Sequence, residues 1–317
     1  MEFSNIYYPS YDSDLNAVKD NGLYLQYVEK QDFKMCLEAI KNNPKALKFV
    51  KKQDEQLCLE AVSRCGDLLQ YVQSQNEKIC LVALKNEGLA IKYIAQPSKE
   101  MCLVAVKQNG YALKYIANQD EDICYQAIDT HPRALKYVKN KNEALCLLAV
   151  KRDGLVLQEI RSPSEALCYA AVKNNPIAIR YIENPSLELK LFSIRKKPNT
   201  IQYLDDCSEY LWKEAITKNP LVIKYLKTPN DALGLFAVAK NPLSIRHIPH
   251  PSEELCISAI QRDFEVIRYI QNPSEKLCIK ALSKCINAYS YIAEKYKTPN
   301  VIKYYERIKN KYSYTEI

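Results

Sequence analysis

Cys36, Cys58, Cys80, Cys102, Cys124, Cys146 and Cys168 follow one another at 22-residue intervals. The count continues through Lys190, Trp212 and Gly234 to Cys256 and Cys278, with no insertion or deletion. A period of this length marks a chain built from stacked supersecondary units, none of which can bury its apolar face alone. The 317 residues would by length suggest about two domains. The unbroken period reads instead as one elongated domain of thirteen copies, from about Tyr11 to about Ala293.

Other positions keep the same period. The residue before each cysteine position is always long and apolar, from Met35 and Leu57 to Leu255 and Leu277, and three residues after it stands a small residue, as in Ala39, Ala61 or Ser193. Each copy closes on a pair such as Tyr115-Ile116, whose first member is Tyr in ten of thirteen copies; Phe49, Glu159 and His247 are the exceptions. Asp32, Asp54, Asn76, Ser98, Asp120, Asn142, Ser164, Ser186, Ser208, Asn230, Ser252 and Ser274 stand where a helix would start, and all are side chains that accept a bond from an unpaired helix N–H. Gly or Pro ends this first helix in eleven copies, Gly22, Pro44 and Gly66 being the first three. Glycine there suits a left-handed turn, and proline the first position of a second helix. Six copies then stop before a further proline: Pro97, Pro163, Pro185, Pro229, Pro251 and Pro273. Each copy therefore reads as two helices of about eight to ten residues.

At roughly 100° per residue the apolar positions of the first helix cover an arc of about 200°, too wide for a helix with one wet side. It suits a helix packed on its own partner and on the copies before and after. A leucine-rich repeat can have the same period, but it needs leucines at strand spacing, whereas this chain offers Ala, Lys and Leu between helix caps. The expected fold is all-α: an α-solenoid of about thirteen 22-residue helix-turn-helix repeats over 11–296. A polar lead, 1–10, precedes it, and a basic capping helix and tail, 297–317, close it.

The residues exclude more functions than they support. An apolar fraction of 47 % is ordinary for a globular chain. No run of eighteen apolar residues exists to cross a membrane, and no secretory signal opens the chain. Neighbouring in-frame cysteines, about a helix diameter apart, are too distant to bridge, and no CxxC pair exists for zinc. They read as core residues in a reducing, cytoplasmic compartment, while Cys65, Cys207 and Cys285 fall out of frame and are expected nearer the surface. His247 and His250 flank Pro249 and have no third ligand near in sequence. Neither a catalytic constellation nor a phosphate-cradling glycine loop is present, so no catalytic residue, metal ligand or cofactor is expected.

What remains is a ladder of cations. Lys48, Lys92, Lys114, Lys136, Arg180, Lys224, Arg246 and Arg268 each sit beside the aromatic position, next to Tyr93, Tyr115, Tyr137 and Tyr181 among others. A second series, from Lys19 and Lys41 to Arg262 and Lys284, recurs near the ends of the first helices. Basic residues interleaved with rings can follow a nucleic-acid backbone while the rings stack on bases. The same pattern also arises as a solvated helix face, because cations near a helix C-terminus are favoured by the dipole, and as a surface for an acidic protein. The net charge of +8 resides mostly in 276–317, which carries nine cations against three acids, so the repeats before it are nearly neutral. Trp212 replaces a cysteine and is read either as filling space or as a hot spot of the surface.

The copies, above all Met101-Cys102-Leu103-Val104-Ala105-Val106-Lys107-Gln108-Asn109-Gly110-Tyr111-Ala112-Leu113-Lys114-Tyr115-Ile116-Ala117-Asn118, resemble an uncharacterised family of tandem repeats found in giant DNA viruses of amoebae and in some intracellular bacteria. The resemblance implies no activity, since that family has none assigned, and for a viral chain it implies a host cytoplasm. The expected function is a non-enzymatic scaffold for a protein partner, with nucleic-acid binding through the basic and tyrosine rows as the alternative.

Overall fold

The computed structural model describes residues 11–313. The sequence-expected lead, 1–10, and the last four residues of the tail lie outside the described residues. The chain divides into two compact units, one ending at Pro163 and the other beginning at Ser164. The first contains α1 (Tyr11–Asp20), α2 (Phe33–Asn42), α3 (Glu55–Arg64), α4 (Glu77–Asn86), α5 (Lys99–Gln108), α6 (Glu121–Thr130) and α7 (Glu143–Arg152). The second contains α8 (Glu165–Asn174), α9 (Leu187–Lys196), α10 (Glu209–Lys218), α11 (Asp231–Lys240), α12 (Glu253–Arg262), α13 (Glu275–Lys284) and α14 (Pro299–Ser313). Within each unit every α-helix packs on the next, and the short helix after it packs on its counterpart in the next copy. The fold is an all-α solenoid with a repeat of 22 residues, and no strand occurs among the described residues.

The α-helix caps are where the residue types put them, except that the Ser208 side chain makes no cap bond at α10. Asp32, Asp54, Asn76 and Asp120 each accept a bond from the backbone N–H three residues on, at 2.8 Å, 2.8 Å, 2.9 Å and 2.9 Å. The second arm of each copy is not the expected α-helix of eight to ten residues. It is a 3₁₀ helix of six, as in Gly22–Tyr27, Pro44–Phe49 or Gly110–Tyr115. Its ends are fixed tightly: Asn21 or Asn43 caps the start, and the Val28 or Val50 N–H closes the end on the carbonyl three residues back. Six residues at about 2.0 Å rise span about 12 Å, close to the 15 Å of a ten-residue α-helix, so the two arms nearly match in length. With the tighter winding Ala46 and Leu47 are buried together with Val50, while Lys48 faces out.

The left-handed turns expected of the glycines that open these 3₁₀ helices do not occur: no glycine has a positive φ, and the left-handed residues among those described are Ser162, Asp206, His250 and Asn272 in the connectors. Glycine serves close approach instead. A Cβ added at Gly22, Gly66, Gly88 or Gly110 would lie 2.1–2.5 Å from the Ala39, Ala83, Ala105 or Ala127 carbonyl oxygen of the next copy. The buried N–H exposed by that approach has a dedicated acceptor. Gly22 N donates to Asn42 Oδ1 (2.7 Å), Gly66 N to Asn86 Oδ1 (2.9 Å) and Gly88 N to Gln108 Oε1 (2.7 Å). The same amides donate backwards to Lys19 O, Ser63 O and Asn86 O, carbonyls at the end of the preceding α-helix. At Gly110 the acceptor is His131 Nδ1, at 3.1 Å.

Proline copies solve the same joint differently. Proline has no N–H, so no acceptor is required. Twenty residues after each of Pro44, Pro132, Pro176, Pro198, Pro220 and Pro242 stands Arg or Lys. Arg64 caps the Ile40 and Lys41 carbonyls of the preceding helix.

A second joint ties the connectors of the first unit. Gln53 Nε2 donates to Leu47 O (3.2 Å) and to Tyr71 O of the next copy (2.9 Å), and its Oε1 accepts from Gln73 N (3.0 Å). Gln31 and Gln119 do the same one copy earlier and three copies later. The cysteine thiol lies behind this amide, Cys58 Sγ being 3.5 Å from Gln53 Oε1. In-frame cysteines are buried, and Cys65, Cys207 and Cys285 are half-buried.

In the second unit Trp212 is 7 % exposed and belongs to the core with Leu211, Leu233 and Ile216. The next copy has Gly234 at this position, where Leu255 Cδ1 would stand 2.7 Å from an added Cβ. The large and the small residue occupy consecutive copies. α14 packs on α13 and on the 3₁₀ helix Ile286–Tyr291. Val301 is buried, and Tyr305 stacks on Tyr289 with centroids 3.8 Å apart. Glu275 anchors the start of α14 by accepting from Thr298 Oγ1 (2.6 Å) and Asn300 Nδ2 (3.0 Å), bonds that lower its pKa.

Candidate interaction surfaces

The cations beside the aromatic position project from the 3₁₀ helices, and all are exposed. They do not reach into solvent unaccompanied. Lys48 Nζ lies 4.5 Å from the Phe49 ring centroid, Lys92 4.7 Å from Tyr93, Lys114 5.4 Å from Tyr115 and Lys136 4.8 Å from Tyr137. In the second unit Lys224 is 4.8 Å from Tyr225, and Arg180 stands 5.3 Å from both Tyr181 and Tyr203. Arg268 likewise stands 5.0 Å from both Tyr269 and Tyr291. Arg246 has His247 where the others have a ring face, and its Nε donates to His247 Nε2 at 3.0 Å. That bond needs a neutral imidazole, and burial together with Arg246 and Lys224 lowers the His247 pKa.

A cation over a ring is worth about 0.5–1 kcal/mol at an exposed site. It also occupies the face on which a base would stack. Lys92 is engaged further: it lies 3.4 Å from Asp67, and its proton is held more tightly, first by the Tyr93 hydroxyl and then by that carboxylate. The first-helix series is partly engaged as well. Arg195 Nε pairs with Glu214 at 3.1 Å and Lys41 with Glu38 at 3.3 Å, and Arg152, next to Lys151 of the series, pairs with Asp129. Within each unit the structure therefore brings the sequence-predicted cations and tyrosines into one row. Trp212 does not join it, because its ring fills the cysteine position in the core.

A second surface was missed in the sequence. A groove of about 1010 Å³ crosses the N-terminal ends of α5, α6 and α7 in the first unit. Its floor is Cys102, Ile116, Ile123, Cys124 and Leu145, and its rim holds Gln96, Asn118 and Asn140, one from each of three consecutive connectors. The same positions line a smaller groove of about 490 Å³ across α2 and α3, where Lys30 and Lys52 replace the amides. The signal was present in the 22-residue register, since 96, 118 and 140 are one position of the repeat, but polar residues in a connector read as ordinary loop.

Together the helical register and these surfaces define an all-α repeat solenoid whose side chains form rows and grooves in the register of the repeat. Within that class, residues 15–53 and 98–141 match the model of a family described as a domain of unknown function (DUF4116). The first match runs from within α1 through α2 and the 3₁₀ helix after it, and the second covers α5 and α6 with the 3₁₀ helices that follow them and includes the stretch 101–118. No curated protein and no solved structure matches the chain. None of the described helices is long and apolar enough to cross a membrane.

Proposed function

We propose that the chain is a non-enzymatic repeat scaffold that holds a protein partner. The observation that carries this reading is the groove over α5–α7, which spans three copies and is lined by two cations, Lys99 and Lys139, and two acids, Asp120 and Glu121. A balanced, amide-rimmed groove with an apolar floor suits a polypeptide better than a polyanion. The nucleic-acid alternative relies on the basic and tyrosine rows, whose cations are already seated on their own rings. The resemblance to repeats of amoebal giant viruses makes a host protein in the host cytoplasm the partner class of this reading.

Two assays on the purified full chain separate the alternatives. The first is titration with labelled single-stranded RNA and DNA over a salt series. The second is crosslinking in a nuclease-treated cell lysate, with the crosslinked residues mapped by mass spectrometry. Protein crosslinks that survive nuclease and fall in α5–α7 are expected. Tight RNA or DNA binding that weakens steeply with salt, with all crosslinks lost on nuclease, overturns the scaffold reading.

A further inference from the structure

We infer that the groove over α5–α7 takes an extended, uncharged peptide segment of a protein partner, its main chain bonded by Gln96, Asn118 and Asn140. The inference rests on the scaffold reading and specifies its ligand. All three amides are exposed on the rim, and none bonds to any other described residue. The neighbouring amides are occupied: Gln119 Nε2 ties its own copy to Tyr137 O at 3.0 Å, and Asn142 caps α7 at Leu145 N at 2.8 Å. A primary amide both donates and accepts, as a peptide unit does, so a row of free amides matches a main chain of either direction.

Spacing supports the same ligand. Packed helices stand about 8–10 Å apart, and an extended chain rises about 3.3 Å per residue. One amide thus recurs about every three residues, and the two intervals from Gln96 to Asn140 accommodate about six residues plus flanks. Every second side chain of an extended strand points down, toward Ile116, Ile123 and Leu145. The charges of the lining balance, Lys99 and Lys139 against Asp120 and Glu121, and both lysines already have acceptors. Lys99 Nζ lies 2.8 Å from Asp120 and 2.7 Å from Asp122, and Lys139 Nζ donates to Ala117 O at 2.8 Å. A charged ligand finds no net opposite charge in this balanced lining, whereas an uncharged one leaves these bonds in place. The related groove across α2 and α3 has Lys30 and Lys52 at the amide positions and serves as an internal contrast.

The test is selection of a random displayed-peptide library of about nine residues on the full chain, followed by affinity measurement with the synthesised peptides. Enriched peptides are expected to be uncharged with alternating apolar residues. They should lose at least about tenfold in affinity for the triple variant Gln96→Ala, Asn118→Ala, Asn140→Ala, and keep it for the double variant Lys30→Ala, Lys52→Ala. Both variants should melt as the parent does. N-methylation of alternate peptide amides should abolish binding, which a purely side-chain contact would survive. Peptides bound equally by the triple variant, or a library that yields no binder, overturn the inference. The scaffold reading stands in either case if protein crosslinks persist after nuclease, and falls if only nucleic acid binds.

Discussion

At Gly22 an added Cβ would stand 2.1 Å from the Ala39 carbonyl oxygen, and at Gly234 it would stand 2.7 Å from Leu255 Cδ1. The first obstacle is backbone of the neighbouring copy and cannot move alone. The second is the end of a flexible side chain. Gly22→Ala is therefore expected to lose at least about 2 kcal/mol of stability, whereas Gly234→Ala, inside α11, should stay within about 1 kcal/mol of the parent. Urea unfolding midpoints measure both, and equal losses would contradict the distinction. Ser244 gives a prediction of opposite sign. Its side chain is buried at a position where most copies have Ala or Val, and its hydroxyl has no partner. Ser244→Ala should stabilise by about 1 kcal/mol, read in the same assay; a loss would mean that the hydroxyl has a partner in solution.

Among the elements, the connectors contribute more than their sequence suggests. Removing the Gln53 amide leaves the Tyr71 carbonyl and the Gln73 N–H without their partner. Gln53→Ala should cost about 1–3 kcal/mol and speed hydrogen exchange at the Gln73 amide before it affects distant copies. Exchange at Gln73 unchanged from the parent would show that the amide is not a joint. The α-helix caps were legible in the sequence because an Asp, Asn or Ser before an apolar run has one favourable local use. The 3₁₀ arm was not, because Ala-Leu-Lys-Tyr is compatible with either winding. Only the short distance between the Asn43 cap and the Val50 closure selects the tighter one. Gln31, Gln53 and Gln119 were passed over for a related reason: their partners lie one copy away, beyond any local pattern.

Across the whole molecule, the 22-residue period made the repeat array readable from the cysteines, and the caps between them made it helical. It also makes a collective prediction. Desolvation by burial, with Asp32 and Asp54 nearby, pushes the Cys36 thiol up to about 11, and Cys58 and Cys256 are pushed up to about 11 chiefly by burial too. Since the thiolate is the reactive form, the in-frame cysteines should resist iodoacetamide at about pH 7.5 in the folded chain. Half-buried Cys65 and Cys285 should be labelled first. Prompt modification of Cys58, followed by peptide mass spectrometry, would contradict the packing described.

The two ways of joining neighbouring copies also constrain how such an array can evolve. A copy opening with Gly66 matches a successor that brings Asn86, and one opening with Pro44 matches a successor that brings Arg64. An unequal crossover that set a lysine-bearing successor behind Gly66 would strand a buried donor, while the reverse exchange would leave a carboxamide with nothing to accept. Single units are therefore not interchangeable parts. Expansion of the array by duplication should be tolerated in blocks cut within one joint type, and an engineer who lengthens it must copy the key together with its lock.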